Sequence, residues 1–207
     1  SNCILMERAI PVFVDIDPLT FNMDISQIEG KITENTKAIL PVDVFGQPLD
    51  MATINNIAGK HSLKVIEDCC EALGSEYDGI KTGKLCDGGV FAFYPNKQIT
   101  TAEGGMIVTD DDEVANICRS LRSQGRPVTG LWLEHERMGY NYRFSELHAA
   151  LGVAQMERIN QIIERRNQVA KSYSARLKHV KGVTLPYIEP RVNVMSWFVY
   201  VIRLHEN

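Results

Sequence analysis

The chain has 207 residues, 44% of them apolar, and a formal net charge of -4, enough to bury a substantial core in one domain or a domain and a fraction. No basic run interleaved with aromatics marks a nucleic-acid surface, and no segment reaches the roughly 20 apolar residues that span a bilayer. Five cysteines, Cys3, Cys69, Cys70, Cys86 and Cys118, show no C-x-x-C spacing and no matching histidine pair, which predicts reduced thiols, no metal centre and a cytoplasmic protein.

Val12 to Ile16 reads as a strand, Ile25, Ile28 and Ile32 as a short helical stripe, and Ala38 to Val44 as a second strand. Asp50 is placed to cap a helix carrying Ile54, Ile57 and Ala58, closed with the help of Gly59. Strands are expected at 63–67, 89–93 and 105–109. The Asp110-Asp111-Asp112 group opens a helix whose Val114, Ile117, Cys118 and Leu121 share one face, with Gly125 at its end. Periodicity then stops between Arg126 and Phe144, where Trp132, His135, Glu136, Tyr140, Asn141 and Arg143 gather in a connection long enough to carry function. Ser145 caps a helical stretch to about Lys178, kinked near Gly152 or broken near Ile159. After a linker from Leu185 to Pro190, Trp197 to Leu204 reads as a strand with no identifiable partner in the chain. The alternation predicts an α/β fold, a mainly parallel sheet covered by helices on both faces.

Chemistry concentrates at Lys97, the one cation in the run from Phe91 to Gly105, which lies between two apolar strands. An ammonium flanked by aromatic and β-branched residues is partly desolvated. That favours the neutral amine that attacks a carbonyl, so Lys97 is a candidate Schiff-base former. Asp68 follows the short strand Leu63-Lys64-Val65-Ile66 at its carboxyl end, where open α/β sheets place their ligands. If the carbonyl belongs to pyridoxal phosphate, a carboxylate beside the pyridine nitrogen keeps that nitrogen protonated. Asp68 and Lys97 would then hold the cofactor from two sides.

Three segments carry a wider resemblance: Val65-Ile66-Glu67-Asp68-Cys69-Cys70-Glu71-Ala72-Leu73-Gly74-Ser75, the Lys97 run through Val108-Thr109, and Met138-Gly139-Tyr140-Asn141-Tyr142-Arg143 with Glu146 to Gly152. Together with Pro11 to Asp17 and Pro41 to Pro48, they resemble the DegT/DnrJ/EryC1/StrS family of fold-type I, pyridoxal-phosphate sugar aminotransferases, over nearly the whole chain and in the same order. The resemblance implies a three-layer αβα arrangement. Residues 1–182 would be the central part of the large domain with its long connecting helix, and 183–207 the beginning of a small C-terminal α/β domain, both ends being cut from a longer enzyme.

The family roles carry over by position. Lys97 matches the lysine that binds the cofactor and moves protons, and Asp68 matches the pyridinium partner. Glu71 stands near the phenolic oxygen, where relatives usually carry glutamine or histidine. Asn141 matches the asparagine that reaches across a dimer to the phosphate in the neighbouring site. Ala92 occupies a position that is often a serine donating to the phosphate, so other groups must hold it, and Arg143 and His135 are candidates to meet the substrate. The implied reaction moves an amino group from glutamate to a nucleotide-linked keto sugar in a homodimer with shared sites, for amino-sugar or polysaccharide biosynthesis. Two alternatives stay open: a regulatory or partner-binding subunit that no longer transaminates, and a dehydratase-like member, which Lys97 disfavours because that subgroup carries histidine there.

Overall fold

The computed structural model describes residues 1–130 and 133–205. Its centre is a four-stranded sheet in the order β1-β2-β5-β6, built from β1 (Ala38–Ile39), β2 (Lys64–Asp68), β5 (Gly88–Ala92) and β6 (Gly105–Val108). β1, β2 and β5 are parallel, and β6 closes the edge antiparallel to β5. The helix α2 (Met51–Lys60) crosses from β1 to β2, as parallel neighbours require. Asp50 caps it by accepting the Thr53 N–H at 3.1 Å. Its Ile54, Ile57 and Ala58 bury against Ile39 of β1 and Val65 of β2, with Ile28, Leu49 and Met51 completing that part of the core.

Asp111 caps α3 (Asp112–Arg122) through the N–H groups of Glu113 and Val114. Gly125 lies three residues beyond that helix, in the left-handed region, and donates back to the Ser120 carbonyl. Ser145 caps α4 (Glu146–Met156), and the break falls at Glu157-Arg158, after which α5 runs from Ile159 to Leu177. Ile159 and Ile162 pack with Phe144 against a second cluster of Cys69, Phe91, Phe93 and Ile99. The two clusters account for the helical covering of the sheet. Ile66 on β2 and Met106 and Ile107 on β6 remain exposed.

Two expected strands fail, and the one expected over Ala38 to Val44 shortens to Ala38–Ile39, its end turning into a 3-10 helix at Val44–Gly46. Residues 12–16 form none: Ile16 makes a single bridge to Met23, and Asp17 Oδ1 turns the chain by accepting the N–H groups of Leu19 and Thr20. Residues 197–204 shrink to β9 (Arg203–Leu204), because Trp197 takes a left-handed φ of 51° that no regular strand accommodates. That strand does have a partner in the chain, the unpredicted β7 (Val183–Thr184). The extended stretch also starts earlier than expected, as β8 (Val192–Val194), which pairs antiparallel with β3 (Glu76–Tyr77) of the β3-β4 hairpin, β4 being Ile80–Lys81. Arg191 fastens this join with ion pairs to Asp50 at 2.8 Å and Asp78 at 2.5 Å. Residues 191–198 therefore rest on the body that carries the sheet.

Candidate active site

The site lies at the carboxyl edge of the parallel strands. Asp68 is the last residue of β2, half-buried, with its Oδ1 accepting the Cys70 N–H at 3.0 Å. Its backbone is fixed on one side by N–H donation to the Pro41 carbonyl and by its own carbonyl accepting from Asp43. Lys97 ends a tight turn, donating its N–H to the Tyr94 carbonyl at 3.0 Å. The residues that follow are pinned: Ile99 and Thr101 are buried, Thr101 donates its N–H to Phe93, and Gln155 of α4 bonds both the N–H and the carbonyl of Thr100. A loop whose far side is anchored in this way holds its lysine in one place.

Lys97 Nζ lies 3.7 Å from Glu71 Oε1, and its side chain is 15% exposed. The second Glu71 oxygen accepts the Phe45 N–H at 2.8 Å. Asp68, Lys97 and Glu71 all act on one neighbouring thiol. Burial, and next the hydrogen bond and charge of Asp68, push Cys70 up to about 12, while Lys97 pulls it down and Glu71 adds to the rise. Cys70 is thus a protonated, inert filler between charged groups. The structure leaves Asn141 apart from this cluster: it is exposed, bridges to Ser123, and accepts from Arg143 Nε at 2.9 Å. Ala92 ends β5 opposite Gly105, without a side-chain donor. His135 is also exposed, and Trp132 lies outside the described residues.

Several supporting residues carry no signal in the sequence. Gln98 donates to the Glu71 carbonyl and, at 2.9 Å, to Ser196 Oγ. Ser196 receives its place from Ser75, whose Oγ accepts the Ser196 N–H at 3.0 Å and donates to the Gly46 carbonyl at 2.8 Å. This buried network joins four separate stretches of chain. Phe198 lies beyond it, with its ring centroid 4.3 Å from Lys97 Nζ. Only a turn signal at Phe45-Gly46 or Ser196-Trp197 could have announced these contacts, and the apolar, β-like composition of both stretches masks it.

Gly46 is the hinge of that network. Its φ is +94°, and a Cβ there would stand 2.8 Å from the Trp197 nitrogen and 2.9 Å from Ser196 Oγ. Gly46→Ala should therefore destabilise the protein by about 2 kcal/mol or more, from left-handed strain and the forced retreat of 196–197. Urea unfolding tests this, and a loss under about 0.5 kcal/mol would show that the contact is not rigid.

What this arrangement can do is hold a reactive amine beside a carboxylate at a sheet edge, with a second carboxylate, Asp68, close by. That donor set suits a cofactor carrying an aldehyde and a basic ring nitrogen, such as pyridoxal phosphate. Comparison with known proteins agrees with the geometry. A GDP-perosamine synthase of Caulobacter vibrioides is 42% identical over 208 residues, covering 100% of this chain and 55% of that protein. A UDP-2-acetamido-2-deoxy-3-oxo-D-glucuronate aminotransferase of Pseudomonas aeruginosa is 37% identical over 205 residues, covering 99% of this chain and 56% of that protein. Among solved structures, Helicobacter pylori PseC, an aminotransferase involved in the biosynthesis of pseudoaminic acid, superposes with a TM-score of 0.93 at 32% identity, over 100% of this chain and 55% of its own. The chain thus spans about half the length of the curated relatives it matches. The sequence profile of the DegT/DnrJ/EryC1/StrS aminotransferase family matches residues 1–207, and with its fold-type I α/β architecture the chain belongs to that family.

Proposed function

We propose that this chain is the cofactor-bearing part of a pyridoxal-phosphate-dependent aminotransferase that moves an amino group from glutamate to a nucleotide-linked keto sugar. The observation that carries the reading is the Lys97 amine, held 3.7 Å from Glu71 and still 15% exposed, at the sheet edge where β2 delivers Asp68. The names of the relatives, a GDP-sugar synthase and a UDP-sugar aminotransferase, support the substrate class. When bound, the cofactor supplies an electron sink for the carbanion formed at the substrate carbon.

In this reading Lys97 holds the cofactor through Nζ and carries the proton to and from the substrate carbon. Asp68 orients the ring by keeping its nitrogen protonated. Glu71, 3.7 Å from Lys97 Nζ, would lie on the cofactor's phenolic side and help to fix the lysine there. Asn141, exposed and bonded to Arg143 and Ser123 and not to Lys97, is suited to serve the site of a second protomer, so the working unit is a homodimer. Residues 1–182 then belong to the large domain, and 183–207 begin the small one, with 191–198 still fastened to the large domain's body. No helix among the described residues is long and apolar enough to cross a membrane, and the described cysteines are free, in keeping with a cytoplasmic enzyme.

The test is the visible spectrum of the full-length protein with pyridoxal phosphate, before and after glutamate. A yellow protein that bleaches on adding glutamate, and then aminates a GDP- or UDP-linked keto sugar, is the expected result. A protein that takes up no cofactor would transfer the assignment to the regulatory, partner-binding reading.

A further inference from the structure

Lys97 Nζ is bracketed from two sides, and both sides are set by one residue. Phe45 has a left-handed φ of 60°. Its N–H donates to Glu71 Oε2 at 2.8 Å, and its carbonyl accepts the Phe198 N–H at 3.1 Å. Glu71 thereby faces the amine at 3.7 Å, while the Phe198 ring centroid lies 4.3 Å away. The ring arrives from the far end of the chain but is firmly held. Arg166 of α5 donates to the carbonyl of Trp197 at 2.7 Å, and Asn167 accepts the Trp197 indole N–H at 3.0 Å. Ser196, immediately before, is tied to Ser75. Trp197 itself takes the left-handed conformation that turns Phe198 toward Lys97. Two non-glycine residues in that region, Phe45 and Trp197, are held by tertiary hydrogen bonds on both sides of one amine, which is where stored strain is put to functional use.

We infer that Phe198 is a positioning residue for Lys97: its aromatic face and the Glu71 carboxylate together hold the ε-ammonium at a fixed, water-poor point until the cofactor arrives. The inference rests on the cofactor role proposed for Lys97. A quadrupolar ring face attracts a cation that an aliphatic side chain of similar size does not, so the role belongs to the ring and not to bulk. Two opposite consequences follow when the ring is lost. Lys97 becomes more available to an indiscriminate small reagent, yet less productive toward the cofactor because it is no longer held on target.

The experiment uses full-length, cofactor-free protein as wild type, Phe198→Leu and Phe198→Tyr. Acetic anhydride labelling of Lys97 is read by mass spectrometry against exposed lysines of the same chain, such as Lys37 and Lys84. In parallel, the rate of pyridoxal phosphate incorporation at Lys97 is read after borohydride fixation. Phe198→Leu should raise relative Lys97 acetylation by about fivefold and lower the incorporation rate by a similar factor, and Phe198→Tyr should restore both. Equal behaviour of Leu and wild type, or a failure of Tyr to rescue, overturns the inference. A general loosening of the fold would move the exposed lysines' neighbours too and would raise both rates together. If Phe198→Leu does not fold, Phe198→Met serves as the aliphatic variant with the same expected outcomes. Should wild type incorporate no pyridoxal phosphate, the proposed function fails, while the acetylation comparison still decides whether the ring guards the amine.

Discussion

Replacing Lys97 with alanine is expected to abolish both the visible absorbance of bound pyridoxal phosphate and amino transfer, the latter by at least about a thousandfold, since one side chain supplies the nucleophile and the proton carrier. Lys97→Arg sharpens the test. Arginine retains a cation beside Glu71 and under the Phe198 ring, so contacts that depend on charge alone survive, but its guanidinium stays protonated and neither attacks a carbonyl nor shuttles a proton. Both variants should therefore fail equally in catalysis. Both should also fold, because the Lys97 loop is anchored by Ile99, Thr101 and Gln155 and not by its amine. Removing the Lys97 charge from this mostly buried pair costs at most about 3 kcal/mol, since Glu71 keeps the Phe45 N–H as a partner. Absorbance titration and single-turnover assays decide the point, and residual transfer in Lys97→Arg within tenfold of wild type would assign the chemistry to another residue.

The pieces of this site that the sequence made legible are those set by local chemistry. Asp50, Asp111 and Ser145 cap their helices as their side-chain types suggest, and Asp68 ends a strand that a short apolar run announces. Lys97 stood out because a lone cation in an aromatic and β-branched run is unusual. The unread pieces depend on contacts across long sequence separations. β8 joins β3 through two or three residues on each side, too few to generate a period, and its register rests on Arg191 and Asn193 reaching Asp78 and Gly79. The left-handed Phe45 and Trp197 are stabilised by partners from distant segments, so their own residue types point toward strand instead. Asp43 and Glu67 were equally silent, since acidic residues at strand ends are ordinarily wet.

Asp43 and Glu67 predict the second large effect. Both are almost completely buried, at 0% and 1% exposure, and their carboxyl oxygens lie within 4.8 Å of one another and of Cys69 Sγ. Asp43 Oδ1 accepts the Leu49 N–H and Glu67 Oε2 the Gly83 N–H, which leaves Asp43 Oδ2 and Glu67 Oε1 without a protein donor. A proton on Asp43 facing Glu67 would serve the pair, with the Cys69 and Cys86 thiols as the other polar neighbours. Burial is the main cause that raises each carboxyl above its usual range, and for Asp43 the neighbouring Glu67 charge adds to it. Asp43, without exposure and repelled by Glu67, is the one that keeps the proton.

The folded protein therefore holds a proton that the unfolded chain releases near pH 4. Because the folded-state affinity is the raised one, the associated stability is fully present below that pH and is lost as pH rises toward the folded value, by about 1.4 kcal/mol per pH unit for one proton. Asp43→Asn removes the linkage while preserving the shape: its amide oxygen still accepts from Leu49, and its amide nitrogen donates permanently to Glu67 Oε1. Urea unfolding at a series of pH values rising from about 4 should show wild type losing stability with a slope greater by one proton than that of Asp43→Asn, over the interval in which only the folded Asp43 keeps its proton. Equal slopes would mean that the pair does not share a proton. The consequence reaches the site, because Asp43 donates its N–H to the carbonyl of Asp68 and Glu67 precedes Asp68 in β2. Ionising both carboxyls would press on the backbone bond from Asp43 to Asp68 at the end of β2, so cofactor retention should fall in wild type once pH rises far enough to ionise Asp43 and persist in Asp43→Asn.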